Sequence, residues 1–393
     1  MRMVPLGDLM ASRVPSLDPS KYPKEVFELW SIPAFDTGQP EITEGANIGS
    51  SKKCVEPNDV LLSRIVPHIR RAWVVSKSQN EMRQLASSEW IVFRDESFYP
   101  DYLRHALTSD SFHSRFMQTV AGVGGSLLRA RPDGVKKIKI PLPPLEEQRR
   151  IAAILDKADG VRRKRKEAIR LTEELLRSTF LEMFGDPVTN PKGWRKISLG
   201  ELLAEPLQNG AYFPKERYVE APDGVEMVHM SDAFYNFVER GQLKRVQVTS
   251  EESEKYKLIP NDVLIARRSL NYEGSAKPCL ISEADQPLIF ESSLIRVRLN
   301  AEVIDSFFFF SYMLEPRARS AYVFPNVTKS TISGINQAGL RRISVLVPPM
   351  SNQKKYRDIY KKILGTQSNY QKDYENIDNL FNSLLQRAFR GEL

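Results

Sequence analysis

Cysteine is almost missing from this chain. Only Cys54 and Cys279 occur in 393 residues, with no metal-type spacing between them, and so few thiols argue for a reducing compartment. Histidine is nearly as scarce: His68, His105, His113 and His229 show no paired spacing that would hold a metal. The opening "MRMVPLGDLMASRVP" has no apolar signal-peptide core. The greasiest run, "SFFFFSYML" at 306–314, is far short of the roughly 20 residues that span a bilayer. A Gly-x-x-x-x-Gly-Lys-Ser/Thr loop for a motor ATPase is also absent. The expectation is a cytoplasmic chain with no metal site and no membrane segment.

What is present is length and a mild positive charge. A chain of 393 residues suggests two domains or more. An apolar fraction of 41% is enough to bury real cores, which excludes a disordered protein. Lys+Arg 57 against Asp+Glu 49 leaves +8, a modest bias toward a polyanionic partner.

The chain is written twice. "GGSLLRARPDGVKKIKIPLPPLEEQRRI" (124–151) lies without a gap on "KSTISGINQAGLRRISVLVPPMSNQKKY" (329–356). Pro143-Pro144 falls on Pro348-Pro349 and Gln148 on Gln353. Upstream, "PNDVLLSR" (57–64) matches "PNDVLIAR" (260–267), and "VPLGDLM" (4–10) resembles "ISLGELL" (197–203). Such self-similarity means a duplicated unit.

Each copy has two parts. The first is globular: Pro-Asn-Asp turns feed apolar strands, "EWIVFR" and "SLIRVRL" read as further strands, and one helix follows in each copy, at 99–117 and roughly 302–320. The second part is a long helix. Paired prolines suit its start, and Glu146 and Glu147 suit the positive end of its dipole. Gly160 is a mild weak point in the first copy, which nothing stops until "FGDP" (184–187).

Steps of four and three pick out Tyr356, Tyr360, Ile363, Gln367, Tyr370, Tyr374, Ile377, Phe381, Leu384 and Ala388, an almost wholly apolar seam with coiled-coil spacing. The matching frame gives Ile151, Leu155, Ala158, Arg162, Arg165, Ile169, Thr172, Leu176, Thr179 and Met183, apolar at the ends and basic in the middle. A narrow seam this long suits a partner helix better than a globular core, and the obvious partner is the other copy. "RRKRK" (162–166) reads as a solvated face or a partner contact.

The predicted fold is mixed α/β (α+β): globular domains at 1–142 and 187–347, and spacer helices at 143–186 and 348–393 forming an antiparallel coiled coil with pseudo-two-fold symmetry. Two differing heads held a fixed distance apart suit an asymmetric bipartite DNA site, with half-site centres about one helical turn apart.

"IPLPPLEEQRRIAAILDKAD" (140–159), "LLRSTFLEMFGDP" (175–187) and Gly193-Trp194, supported by "TISGIN" (331–336) and "QNGAYFPK" (208–215), closely resemble the specificity (S) subunit of type I restriction–modification systems. The resemblance covers essentially the whole chain. It implies two target-recognition domains for double-stranded DNA, and helices that dock modification (methyltransferase) subunits, two of them in the expected complex. Restriction (motor/nuclease) subunits would join through that complex. The C-terminal helix is tyrosine-rich and lacks the "EEQRRIAAIL" wording, which ties docking more closely to the first helix. Neither an Asn/Asp-Pro-Pro-aromatic motif nor a glycine-rich cofactor loop is present. S-adenosylmethionine, ATP and magnesium are therefore expected on partners, and the chain is expected to catalyse nothing.

Arg64 and Arg267 recur after "PNDVL", with Arg70, Arg71 and Arg268 nearby. Arginine reads guanine or clamps phosphate, but the same positions could simply end a strand in an ion pair. Recurrence in both copies suits phosphate positioning more than base reading. Asn209, Tyr212 and Lys215, then Ser269, Asn271 and Tyr272, are polar and aromatic loop tips suited to base edges. Gly124, Gly125, Ser126, Arg129 and Arg131 in the first copy align with Thr328, Lys329, Ser330 and Thr331 in the second. The rival readings are a coiled-coil adaptor with two protein-binding ends, and a single-chain methyltransferase or nuclease, which the missing motifs disfavour.

Overall fold

The repeated Pro-Asn-Asp turns start both halves in the same way. Asn58 and Asn261 take left-handed φ of 74° and 71°, a region that asparagine tolerates better than most residues. Asp59 and Asp262 are each only 1% exposed. They accept the N–H groups of Glu56 and Ile259 at 2.9 Å. Each also takes a forked pair of bonds, Asp59 from Arg94 at 2.6 Å and Asp262 from Arg298 at 2.8 Å. The turns launch strands Val60–Ser63 and Val263–Ala266, buried at every residue.

A computed structural model of the chain describes residues 2–78, 80–122, 128–234, 236–281 and 286–393. It falls into two compact units, Met1–Glu167 with Gln371–Leu393, and Ala168–Tyr370. In the first unit, Val60–Ser63 sits between Ala72–Val74 and Trp90–Phe93 in an antiparallel sheet. A five-stranded sheet runs in the order Ser16–Leu17, Lys52–Cys54, Gln84–Ala86, Val26–Trp30, Glu41–Glu44. Trp30, Phe35, Trp73 and Trp90 form an aromatic cluster, with the Trp90 indole N–H donating to the Trp30 carbonyl at 2.8 Å.

The second unit has an antiparallel sheet ordered Gln208–Asn209, Leu294–Val297, Val263–Ala266, Pro278–Leu280. A second four-stranded sheet contains one parallel pairing, Val225–Val228 with Leu288–Phe290. Both units are mixed α/β and close alike: the first strand pairs antiparallel with the last, Val4 opposite Ile140 and Lys196 opposite Leu346.

The predicted single helix at 99–117 is two helices, Pro100–Thr108 and Asp110–Met117. Ser109 turns extended between them because its hydroxyl caps the second, accepting the Phe112 N–H at 3.3 Å. The segment at 302–320 is likewise broken after Ser306–Leu314, where Glu315 is extended and Pro316 opens the next turn.

The long helices are Leu145–Phe184 and Met350–Arg390. The paired prolines stand just ahead of both, Gly160 does not interrupt the first, and Gly185 ends it with a φ of 76°. Each start is held by a glutamine with no exposed surface. Gln148 accepts the Tyr99 N–H at 2.7 Å and donates to the carbonyls of Ser97 (2.9 Å) and Pro143 (2.8 Å). Gln353 repeats all three bonds, accepting from Asp305 N–H at 2.8 Å and donating to Val303 (3.2 Å) and Pro348 (2.7 Å).

Every position of both heptad frames is buried or half-buried. In the first unit Ile151 and Leu155 pack in one core with Phe381 and Ala388, with Ala158 and Leu384 against it. Arg162 pairs with Asp378 at 3.1 Å and Arg165 with Asp373 at 3.2 Å. In the second unit Tyr356 and Tyr360 share a core with Phe180, while Leu176 and Met183 pack on it. Ile169, Ile363, Tyr370, Tyr374 and Ile377 are half-buried. Leu385, outside the frame, is buried in the first unit's core.

The glutamine contacts give a direct expectation. Gln148→Ala leaves the half-buried Tyr99 N–H and the Ser97 and Pro143 carbonyls without their partner, and should cost about 3 kcal/mol. Hydrogen exchange should show protection lost around 97–103 and at the start of the first long helix, with the second unit unchanged. Gln353→Ala should do the converse. Equal loss in both units for either variant would contradict this assignment.

Candidate nucleic-acid interface

In the second unit a close backbone approach builds the site. Beyond Val263–Ala266, the Arg267 N–H donates to Ser293 at 2.9 Å and its carbonyl accepts from Ile335 at 3.0 Å. A Cβ at Gly334 would stand 2.8 Å from that carbonyl, so only glycine fits. Arg268 then pairs with Gly334 and Ser269 with Ser333. The intervening loop closes on itself: Thr328 N–H donates to Gly334 at 2.8 Å, and the Ser330 hydroxyl to Ile332 at 2.7 Å. Thr328, Lys329, Ser330 and Thr331 are all exposed on it.

Neighbouring loops lock onto this frame. Lys329 Nζ stands 5.3 Å from the Tyr272 ring centroid, and the Tyr272 hydroxyl donates to Phe324 at 3.1 Å. The Ser269 hydroxyl accepts the Asn271 N–H at 3.1 Å. Asn209 accepts from Gln337 at 3.2 Å. Gly210 lies so close to the carbonyls of Phe290 and Glu291 that a Cβ would sit 2.3 Å from each. That approach carries the chain out to Tyr212, which is 82% exposed, as is Leu270.

Thus Asn209, Tyr212, Arg267, Arg268, Ser269, Asn271, Tyr272 and the 328–331 loop form one connected cluster. Lys215 joins it through a cavity of 810 Å³ that it lines with Tyr212, Lys244 and Arg245. Lys244 and Arg245 were not singled out from sequence. Strand pairing, Arg245 opposite Val219, brings them there.

In the first unit Arg64 occupies the same main-chain position. Its carbonyl accepts the Ala130 N–H at 2.8 Å, as Arg267 does from Ile335. Its Nε donates to Glu89 at 2.8 Å, and Arg129 reaches the same carboxylate at 3.4 Å. Burial alone would raise the Glu89 carboxyl, but the bonds and charges of these two arginines outweigh it and hold the group below its ordinary range.

Arg131 is exposed on the same strand end, with no side-chain partner among the described residues. Arg268 is equally free in the second unit. Arg70 pairs with Asp110 at 2.6 Å, and Arg71 is buried in a forked pair with Asp36 at 3.2 Å. The structure thus brings Arg64, Arg129 and Arg131 together and sets Arg70 and Arg71 in ion pairs elsewhere. Gly124, Gly125 and Ser126 lie outside the described residues.

Among the described residues no group of histidines, cysteines and carboxylates could hold a metal ion, and no helix is long and apolar enough to cross a membrane. The arrangement offers cations, amides, hydroxyls and an aromatic face on loops, chemistry for phosphates and base edges.

Comparison with known proteins adds a family. The profile described as "Type I restriction modification DNA specificity domain" matches residues 4–171 and 191–377. The chain is similar to the type I restriction enzyme EcoKI specificity subunit of Escherichia coli, 25% identical over 323 residues, or 77% of this chain and 68% of that one. It is similar also to the StySPI specificity subunit of Salmonella potsdam, 23% identical over 318 residues, 76% and 67%. The solved structure of a type I restriction–modification S subunit from M. genitalium superposes with a TM-score of 0.56 at 14% identity, over 99% of this chain and 96% of that chain.

Glu89 should make the first unit acid-sensitive. Its carboxyl is lower in the folded state, so its contribution is complete above the ordinary value of 4.5 and is lost as pH falls through the lowered one. The stability gap between wild type and Glu89→Gln, read by urea unfolding, should be widest near neutral pH and shrink below that value. A gap that does not change with pH would contradict it.

Proposed function

Since the chain belongs to the family of type I restriction–modification DNA specificity domains, we propose that it selects the DNA sequence on which its partners act, each globular domain reading one half of an asymmetric bipartite target. As a member of that family it is a recognition component and not the catalyst. Methyl transfer with S-adenosylmethionine, and motor and nuclease action with ATP and magnesium, are assigned to partner subunits. Reading is assigned to residues 1–142 and 187–347. The helices within 143–186 and 348–393 act as an antiparallel coiled coil of pseudo-two-fold symmetry that sets half-site spacing and docks two methyltransferase subunits.

One observation carries the reading. The same main-chain frame occurs twice, at Arg64 with Ala130 and at Arg267 with Ile335, but the side chains around it differ. A shared frame suits the phosphates, which are alike at every site, and differing side chains suit two unlike half-sites. Ion pairs between the long helices, Arg162 with Asp378 and Arg165 with Asp373, support an antiparallel coiled coil.

In a complex with modification subunits, Arg268→Ala and Lys329→Ala should weaken binding to target and non-target duplex alike. Each should lower the slope of log affinity against log salt by about 0.9. Unchanged slopes would remove these residues from the DNA interface. A change confined to one base position would make them base readers instead.

A further inference from the structure

The second unit contains a cavity of 440 Å³ whose wall includes Phe180, Phe237, Phe310, Tyr356 and Tyr360, with Glu315 among its polar lining. The internal repeat explains why it is open. With Gln148 set on Gln353, Arg162 falls on Gln367 and Leu176 on Phe381; with Tyr99 set on Asp305, His105 falls on Ser311 and Ser109 on Glu315.

In the first unit these positions are filled from within. The Arg162 guanidinium lies 4.5 Å from the Phe381 ring centroid and pairs with Asp159 at 2.7 Å and Asp378 at 3.1 Å. His105, fully buried, packs against the same ring at 6.1 Å. The second unit has the shorter Gln367, Leu176 and Ser311 instead. Gln367 still reaches Glu173, the counterpart of Asp378, at 3.5 Å, but its position supplies no guanidinium; the one guanidinium among the cavity's lining residues, that of Arg177, faces Glu315 instead.

Glu315 differs in the same sense. Ser109, its counterpart, is satisfied: its hydroxyl donates to Ala106 at 2.8 Å and accepts from Phe112. Glu315 caps nothing and is only 4% exposed. Its Oε2 faces Arg177 Nε at 3.3 Å, and its Oε1 is buried with no hydrogen-bond partner among the described residues. A buried carboxylate oxygen lacking a donor is costly to keep.

We propose that this cavity binds an organic cation, a guanidinium or primary ammonium on an apolar stem, with Glu315 as counter-ion and the aromatic side chains as its cage. The volume is that of a small-ligand site, and aromatic faces with a carboxylate are the chemistry that holds such a cation. The first unit places its own Arg162 among a ring and two carboxylates, Asp159 and Asp378; in the second, Gln367 stands in that place, and the lining carries two carboxylates, Glu173 and Glu315, against the single guanidinium of Arg177. This site lies outside the loops assigned to DNA and stands whether or not those loops read it. The cation could be a free amine or the tip of a partner's arginine or lysine.

NMR titration of the full chain with n-butylguanidinium, against neutral N-butylurea of similar shape, tests the proposal. The cation should bind at least about tenfold more tightly than the urea, and Glu315→Gln should remove that preference. Gln367→Arg, which supplies the guanidinium as Arg162 does in the first unit, should abolish binding and raise the melting temperature, and so tests the site without disturbing Glu315. Equal binding of urea and cation, or cation binding unchanged in both variants, would overturn it. Repeating the titration with modification subunits bound separates the sources. Retained binding marks a free cation; a blocked cavity, together with assembly weakened by Glu315→Gln, marks a partner's side chain.

Discussion

Two buried glutamines carry the constraint on which the rest depends. Gln148 and Gln353 each join three backbone groups: the N–H and carbonyl flanking the start of a short helix, and the carbonyl of the proline that precedes a long one. Both glutamines are fully buried, and the bonds to the Pro143 and Pro348 carbonyls and from the Asp305 N–H are buried with them. The direction in which each long helix leaves its unit is therefore tied to the unit's core by hydrogen bonds that are expensive to break.

On that shared scaffold the two copies have diverged in side chains while keeping the main chain. Asp59 and Asp262 hold the same turn, and Arg64 and Arg267 pass through the same close approach to the following strand. What differs is what the frame displays. Arg64 is held by Glu89, whereas among the described residues the Arg267 side chain reaches only the Ser292 carbonyl, at 3.4 Å, and Arg268 beside it has no side-chain partner. The helices show the same divergence: a guanidinium and a ring at Arg162 and Phe381, a cavity at Gln367 and Leu176. Duplication supplies the geometry, and the substitutions change what each copy displays.

The scaffold was legible where identity is constrained over a short stretch. The ungapped match of 124–151 on 329–356 spans the closing strand, the paired prolines and the glutamine, all of which serve one local purpose. The heptad was legible because its period depends on spacing alone, and even its basic middle has a reason in Asp373 and Asp378 across the pair. Ser109 hid a helix break because a serine reads equally as a mid-helix residue or a cap. Arg71 looked like its neighbour Arg70, and only the fold buries it and brings Asp36 to pair with it. Lys244 and Arg245 gave no local signal, since strand pairing places them beside Tyr212 and Lys215. Side chains that meet through the fold, and not through the local chain, are what a single sequence conceals.

The central claim is that two unlike readers on one scaffold choose one interrupted DNA site. The most direct measurement is to co-express the chain with a candidate modification subunit and map N6-methyladenine across genomic DNA, before and after exchanging residues 1–142 for those of another family member. The account predicts methylation at a single asymmetric, interrupted motif, of which the exchange alters one half and leaves the other and the spacing intact. An active methyltransferase complex whose motif is indifferent to the exchange would contradict it.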